Sequence, residues 1–136
     1  MTRAMALSCC LLAAATPARA AEASEAAALQ AAEAWLKLID TGQYGASWDG
    51  ASSSFRKAVS RSTWEKKAAA AREPLGKVLE RKVSSQELTH ELPGAPDGTY
   101  VLLIFDTRFE HKERGHETVI MTLDGGRFRA ASYFIR

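Results

Sequence analysis

The sequence predicts an α+β fold in which three N-terminal helices are followed by a four-stranded antiparallel meander. Two observations carry most of this. Apolar residues recur at helical spacing up to about Pro74, and from Lys77 onward they alternate at a period of two. A third is the placement of glycine- and proline-rich turns, which cut the second half into strand-length segments. The division falls at Pro74-Leu75-Gly76, with no repeat and no linker long enough to separate two domains.

The chain opens with the pattern of a secretory signal peptide at residues 1–20. Arg3 supplies a positive n-region, Ala4 to Thr16 an apolar stretch, and Ala18-Arg19-Ala20 a small-x-small cleavage site. That stretch is short of the roughly 20 residues that span a bilayer, so the expectation is a cut after Ala20 and a periplasmic or secreted domain, residues 21–136, with no stable membrane insertion. Cleavage removes both cysteines, Cys9 and Cys10, and with them any disulfide, cysteine nucleophile or thiolate metal site. It also removes Arg3 and Arg19 from the 18 basic residues and leaves all 16 acidic ones, so the mature part is formally neutral. A neutral domain lacks the clustered positive charge that nucleic-acid binding requires.

Ser24 is placed to cap a first helix that runs to about Asp40 and stops at Thr41-Gly42. Leu29, Ala32, Leu36 and Ile39 recur along it, with Trp35 beside them. A short second helix carries Tyr44 and Trp48, four apart on one face. Ser62-Thr63-Trp64-Glu65 reads as the capping box of a third, ended before Pro74, with Trp64, Ala68 and Ala71 as a narrow apolar stripe.

Lys77 to Leu92 reads as one long, imperfect strand, and Pro93 to Gly98 as a turn. Thr99 to Glu110 is the clearest strand: Val101, Leu103, Phe105, Thr107 and Phe109 share one face, and Tyr100, Leu102, Ile104, Asp106 and Arg108 the other. His111 to Gly115 reads as a charged loop, Glu117 to Leu123 as a third strand, Asp124-Gly125-Gly126 as a hairpin turn and Arg127 to Arg136 as a fourth strand. Large apolar residues on both faces of the Thr99 strand leave two alternatives open. One is a homodimer through the outer sheet face, and the other a twisted sheet that wraps further around the helices.

Three blocks of residues carry a resemblance. They are Ala34-Trp35-Leu36 to Asp40 with Tyr44 and Ser47-Trp48; Trp64, Arg72-Glu73-Pro74-Leu75-Gly76 and Arg81; and Leu92-Pro93-Gly94-Ala95-Pro96-Asp97-Gly98-Thr99-Tyr100, Phe109, Glu117-Thr118 and Ser132 to Arg136. Together they resemble the bacterial exported family called domain of unknown function 4019, over nearly the whole mature chain. The Leu-Pro-Gly-x-Pro-Asp-Gly segment is the most specific part. Phe128, Ala130 and Ser132 depart from the family's last strand, as packing changes. The resemblance offers no established activity. It implies helices packed on a curved sheet, the nuclear-transport-factor-2-like (cystatin-like) cone, which often holds a pocket between sheet and helices.

Pocket-facing polar residues are the first candidates. Arg81 and Glu117 lie on strands and match family positions; facing each other, they form either a buried ion pair that bridges the sheet or a site for a carboxylate or a water. Asp106, in an otherwise apolar strand, is a candidate general base, weighed against a surface pair with Arg108 two residues on. Tyr100 and Tyr133 complete the set of ligand-binding candidates. The loop from His111 to Glu117 has two histidines and two glutamates, but the His-x4-His spacing is no recognised ligand pattern and Lys112 and Arg114 repel a cation. It reads as a solvated loop, and His90 as an exposed residue near a turn. Trp35, Trp48 and Trp64 read as filling between helices and sheet. No phosphate-binding glycine loop, metalloprotease helix, nucleophile elbow or calcium loop occurs, so no metal and no cofactor is expected.

Three functional readings follow. The favoured one is a non-catalytic module that binds a small molecule or a periplasmic protein. The second is a small isomerase or hydrolase using Asp106 or Glu117 as base, with Tyr100, Arg81 or Tyr133 orienting the substrate. The third is a structural subunit that docks on a partner through its outer sheet face. A closed pocket bringing two of these side chains together favours the enzyme; a filled core with paired charges favours binding at the surface.

Overall fold

Capping and apolar spacing set a helical layer that covers one face of the sheet. The computed structural model describes residues 13–136. Arg3, both cysteines and most of the apolar leader stretch lie outside the described residues. Helix α1 spans Pro17–Asp40. It starts earlier than the expected Ser24 cap, because the Thr16 hydroxyl accepts the Arg19 N–H at 3.3 Å and Pro17 suits the first turn. Its buried residues are Ala28, Ala32, Trp35, Leu36 and Ile39, one stripe against the sheet. Gly42 ends it at φ 74°, with Gly42 N–H on Ile39 O at 3.1 Å and Gln43 N–H on Leu38 O at 2.8 Å, a Schellman closure.

Helix α2 (Tyr44–Asp49) follows as expected. Next comes a helix the sequence reading lacks, α3 (Ser53–Ala58). At six residues it is too short to show a period, and what starts it is Ser52, whose Oγ accepts the Phe55 N–H at 3.1 Å. Helix α4 spans Arg61–Arg72. Its cap is Ser60, which accepts the Thr63 N–H at 3.3 Å, so the expected box at Ser62 lies inside the first turn. A 3-10 turn over Glu73–Leu75 leads to the sheet. The described residues thus form four α-helices where three were expected.

The strands are β1 (Val78–Thr89), β2 (Tyr100–Phe109), β3 (Lys112–Asp124) and β4 (Arg127–Ile135), paired antiparallel in sequence order. The expected loop at His111–Gly115 is mostly strand: Thr107 pairs with Gly115 and Phe109 with Lys112. Glycine at 115 makes this pairing sterically possible, since a Cβ there would lie 2.8 Å from Phe109 Cε2. The charged side chains of Lys112 to Arg114 hid the strand, because at this end the β3 backbone pairs while its side chains stay largely in solvent.

The inner sheet face presents Val101, Leu103, Phe105, Val119, Met121 and Ala130 to the α1 stripe, with Phe55, Trp64 and Ala68 completing the core. Trp35 and Trp64 are buried between helices and sheet, whereas Trp48 is half-buried and donates its indole N–H to Val59 O at 2.8 Å. Ser47, fully buried in α2, joins the other two indoles: its carbonyl accepts from Trp35 Nε1 and its hydroxyl from Trp64 Nε1, both at 2.8 Å. Trp64 also meets Phe55 edge-on at 4.8 Å, and Trp35 meets Tyr133 edge-on at 5.5 Å. Such pairs each add about 1 kcal/mol beyond burial.

Candidate functional site

Alternation along β2 and β3 turns Thr107 and Glu117 inward, and both are buried. A carboxylate in an apolar layer must be saturated with donors to remain charged. Glu117 is. Its Oε1 accepts from Arg81 Nε at 2.8 Å and from the Thr107 hydroxyl at 2.6 Å; its Oε2 accepts from Arg81 Nη2 at 3.2 Å and from the Tyr133 hydroxyl. Four donors occupy the roughly four lone-pair sites a carboxylate offers.

Arg81 bridges from Glu117 to the end of α1. Its Nη1 and Nη2 donate to Asp40 Oδ2 at 2.8 Å and Oδ1 at 2.9 Å, a bidentate pair. Asp40 also accepts from Arg72 Nη2 at 3.3 Å. The placement has a local cause. A carboxylate in the last turn of a helix faces the negative end of the helix dipole and is unfavourable there unless cations neutralise it. Arg72, ending α4 with only 4% of its surface exposed, stacks over the Phe109 ring at 4.6 Å and donates to Gly76 O at 3.3 Å.

The charges tune one another. Burial alone would lower the Arg81 pKa, but hydrogen bonds to Asp40 and Glu117, with their charges, raise it above the ordinary arginine value. Burial, then the Glu117 charge and hydrogen bond, pushes the Tyr133 phenol above the usual tyrosine range, so it stays protonated and donates.

The structure therefore brings Arg81, Glu117 and Tyr133 together and adds Asp40, Thr107 and Arg72. Glu117 has no exposed surface and Arg81 side-chain exposure is 15%. The arrangement is a filled core with its charges paired, not an open cavity. Tyr100 is elsewhere: it pairs with Thr122, five residues along β3 from Glu117 or about 17 Å, and donates to Pro96 O at 2.6 Å. Asp106 is on the opposite sheet face. Its partner is His116 rather than the expected Arg108, with Oδ1 at 2.8 Å from His116 Nδ1. Strand pairing sets Asp106 directly across from His116 once β3 extends through that position. Both side chains are about 60% exposed, 59% and 61% respectively, so water screens the pair. Among the described residues, no three His, Asp or Glu side chains are placed to share a metal ion, and no helix is long and apolar enough to cross a membrane.

Open spaces adjoin the cluster at three places: about 300 Å³ beside Asp40 and Arg72, about 350 Å³ beside Asp106 and Thr107, and a larger one at Tyr133. Tyr133 forms part of the wall of a groove of about 590 Å³ between α4 and the end of β4. Trp64, Ala68, Ala71, Leu75 and Ile135 supply its apolar surface. Sequence reading missed it, although the Trp64-Ala68-Ala71 stripe forms its helical wall.

Neither the curated proteins nor the solved structures contain a match to this chain. A family model does match, over residues 31–133, which takes in α1 from its buried half, the whole polar cluster and most of β4. The chain belongs to the family described as "Protein of unknown function (DUF4019)".

Proposed function

We propose that the protein is an exported, non-catalytic binding module whose inner polar cluster holds the fold together and whose ligand is taken at the surface. The observation that carries this reading is the saturation of Glu117. With all its lone-pair sites accepting and no exposed surface, it has no position from which to take a substrate proton. Asp106, the other carboxylate considered as a base, is solvated and engaged by His116.

Export rests on the leader pattern, and the fold is compatible with it. Residues 13–20 are exposed and the first buried residue of α1 is Ala28, so a cut after Ala20 takes away no core contact. The family resemblance supports a bacterial, periplasmic or secreted origin and a cone of the nuclear-transport-factor-2-like kind. Native mass spectrometry of residues 21–136 purified from the native cell envelope tests the reading. A small molecule or protein that leaves on denaturation is the expected result. Bare protein that turns over a substrate, with activity lost in Glu117→Gln while the fold persists, would overturn it.

The outer sheet face favours a second reading. Leu102, Ile104 and Ile120 are only half-buried there and Phe134 is 40% exposed, which suits association of two copies through this face. Sedimentation of the mature domain decides it: a concentration-dependent dimer is expected, and a monomer throughout contradicts it.

A further inference from the structure

We infer that the groove between α4 and the end of β4 is a seat for an amphipathic anion, specifically a carboxylate on an unbranched apolar chain; this rests on the proposal that the protein binds ligands at its surface. Three observations converge. The floor and walls are apolar or aromatic: Trp64, Ala68, Ala71, Leu75, Tyr133 and Ile135. Every charged side chain that lines the groove is cationic, namely Lys67 from α4, Lys112 from β3 and Arg136 at the end of β4, whose guanidinium lies 5.3 Å from the Phe134 ring centroid. None of the three makes an ion pair among the described residues, in contrast to Arg61, Arg72, Arg81 and Lys82, all of which do. In a domain whose mature part is formally neutral, three cationic side chains around an apolar floor favour an anionic head.

The groove is also preorganised on one side. The Tyr133 hydroxyl is tied to Glu117 and its ring stands edge-on to Trp35 at 5.5 Å, so the wall does not have to be ordered when a ligand enters. On the α4 side Trp64 is fixed by its indole bond to Ser47 at 2.8 Å. Ala68 and Ala71 keep the space between these two aromatic walls open. A volume of about 590 Å³ lies within the range of about 300–1,000 Å³ typical of small-molecule sites. An apolar chain lies along the alanines, and its carboxylate reaches the cationic rim.

The test compares three probes that share a ten-carbon chain and differ in the head: decanoate, decanol and decyltrimethylammonium, each titrated calorimetrically into residues 21–136 below its aggregation threshold. Decanoate is expected to bind at one site and more tightly than decanol, with the cationic probe weakest. Lys67→Ser and Lys112→Ser should each weaken decanoate by about two- to fivefold, the worth of an exposed ion pair, and leave decanol unchanged. Ala71→Phe, at an exposed helix position, should block decanoate and decanol alike while the circular dichroism spectrum is kept. Lys37→Ser, on α1 away from the groove, is the control and should bind as the parent does. Equal affinity for all three heads, or binding that survives Ala71→Phe, overturns the assignment. Failure of all three probes beside a ligand released in native mass spectrometry overturns this seat alone. Failure of both measurements removes the binding proposal with it.

Discussion

Arg81 Nε lies 2.8 Å from Oε1 of Glu117, a carboxylate with no exposed surface, and the same guanidinium reaches Asp40 at the C-terminal end of α1. One side chain on an edge strand thus ties the third strand to the first helix. Buried ion pairs of this kind contribute little against an apolar replacement, yet removing one partner strands the other charge. The cluster therefore specifies how α1 seats on the sheet more than it adds to net stability.

Tyr133 gives this arrangement a pH signature. Its phenol titrates above the ordinary tyrosine value in the folded protein because of burial and the Glu117 charge. The folded state then holds a proton that the unfolded chain releases above about pH 10. The associated stability is complete below that pH and falls as pH rises beyond it. Tyr133→Phe should flatten the alkaline limb of stability measured by urea unfolding between pH 8 and pH 11. It should also lower stability at pH 7 by about 1–3 kcal/mol, because Glu117 Oε2 loses a donor.

Ser47 supports a second prediction. Its buried hydroxyl accepts the Trp64 indole N–H at 2.8 Å and donates to Tyr44 O at 2.6 Å. Ser47→Ala leaves the indole donor without a partner and should cost about 1–3 kcal/mol. A shift in tryptophan emission should accompany the loss; Trp35 bonds to the backbone carbonyl and keeps its partner.

Asp124 works at the opposite pH extreme. Its Oδ2 accepts the Ser53 N–H at 2.8 Å, which pins the start of α3 to the β3–β4 hairpin. Hydrogen bonds from Ser53, the backbone N–H foremost, hold its carboxyl below the ordinary aspartate value. That contribution is present above the unfolded value of about pH 4 and is lost as pH falls through the lower folded value. Asp124→Asn should reduce the acid dependence of stability between about pH 4 and pH 2 while leaving the alkaline limb alone.

Much of this was legible in the sequence, and the reasons differ by element. Alternation set Thr107 in an apolar row, and Glu117 stood out because it lies on a strand at a position that matches the family's. Arg81, across β2 on the first strand, was the natural counter-ion. Asp40 was read only as the end of a helix, although an acid at the negative end of a helix dipole signals a cationic partner. Which cation it meets depends on how α1 crosses the sheet, and no local pattern encodes that. The Asp106 partner was misplaced for a related reason. His116 stands opposite only because β3 runs on through a charged stretch, where Gly115 admits the Phe109 ring and pairing comes from the backbone. Helix α3 depends on a single serine cap and offers no period to detect. The groove required two elements far apart in sequence, α4 and the end of β4, to be brought side by side.

Glu117→Gln provides the most direct test of the central claim, that the polar cluster is structural. The substitution keeps size and shape and removes the charge that answers Arg81. Equilibrium urea unfolding at pH 7 should show a loss of about 3–5 kcal/mol with the native circular dichroism spectrum retained in the absence of urea. Unchanged or increased stability would contradict the account, because it would mean that the fold tolerates this charge rather than depends on it.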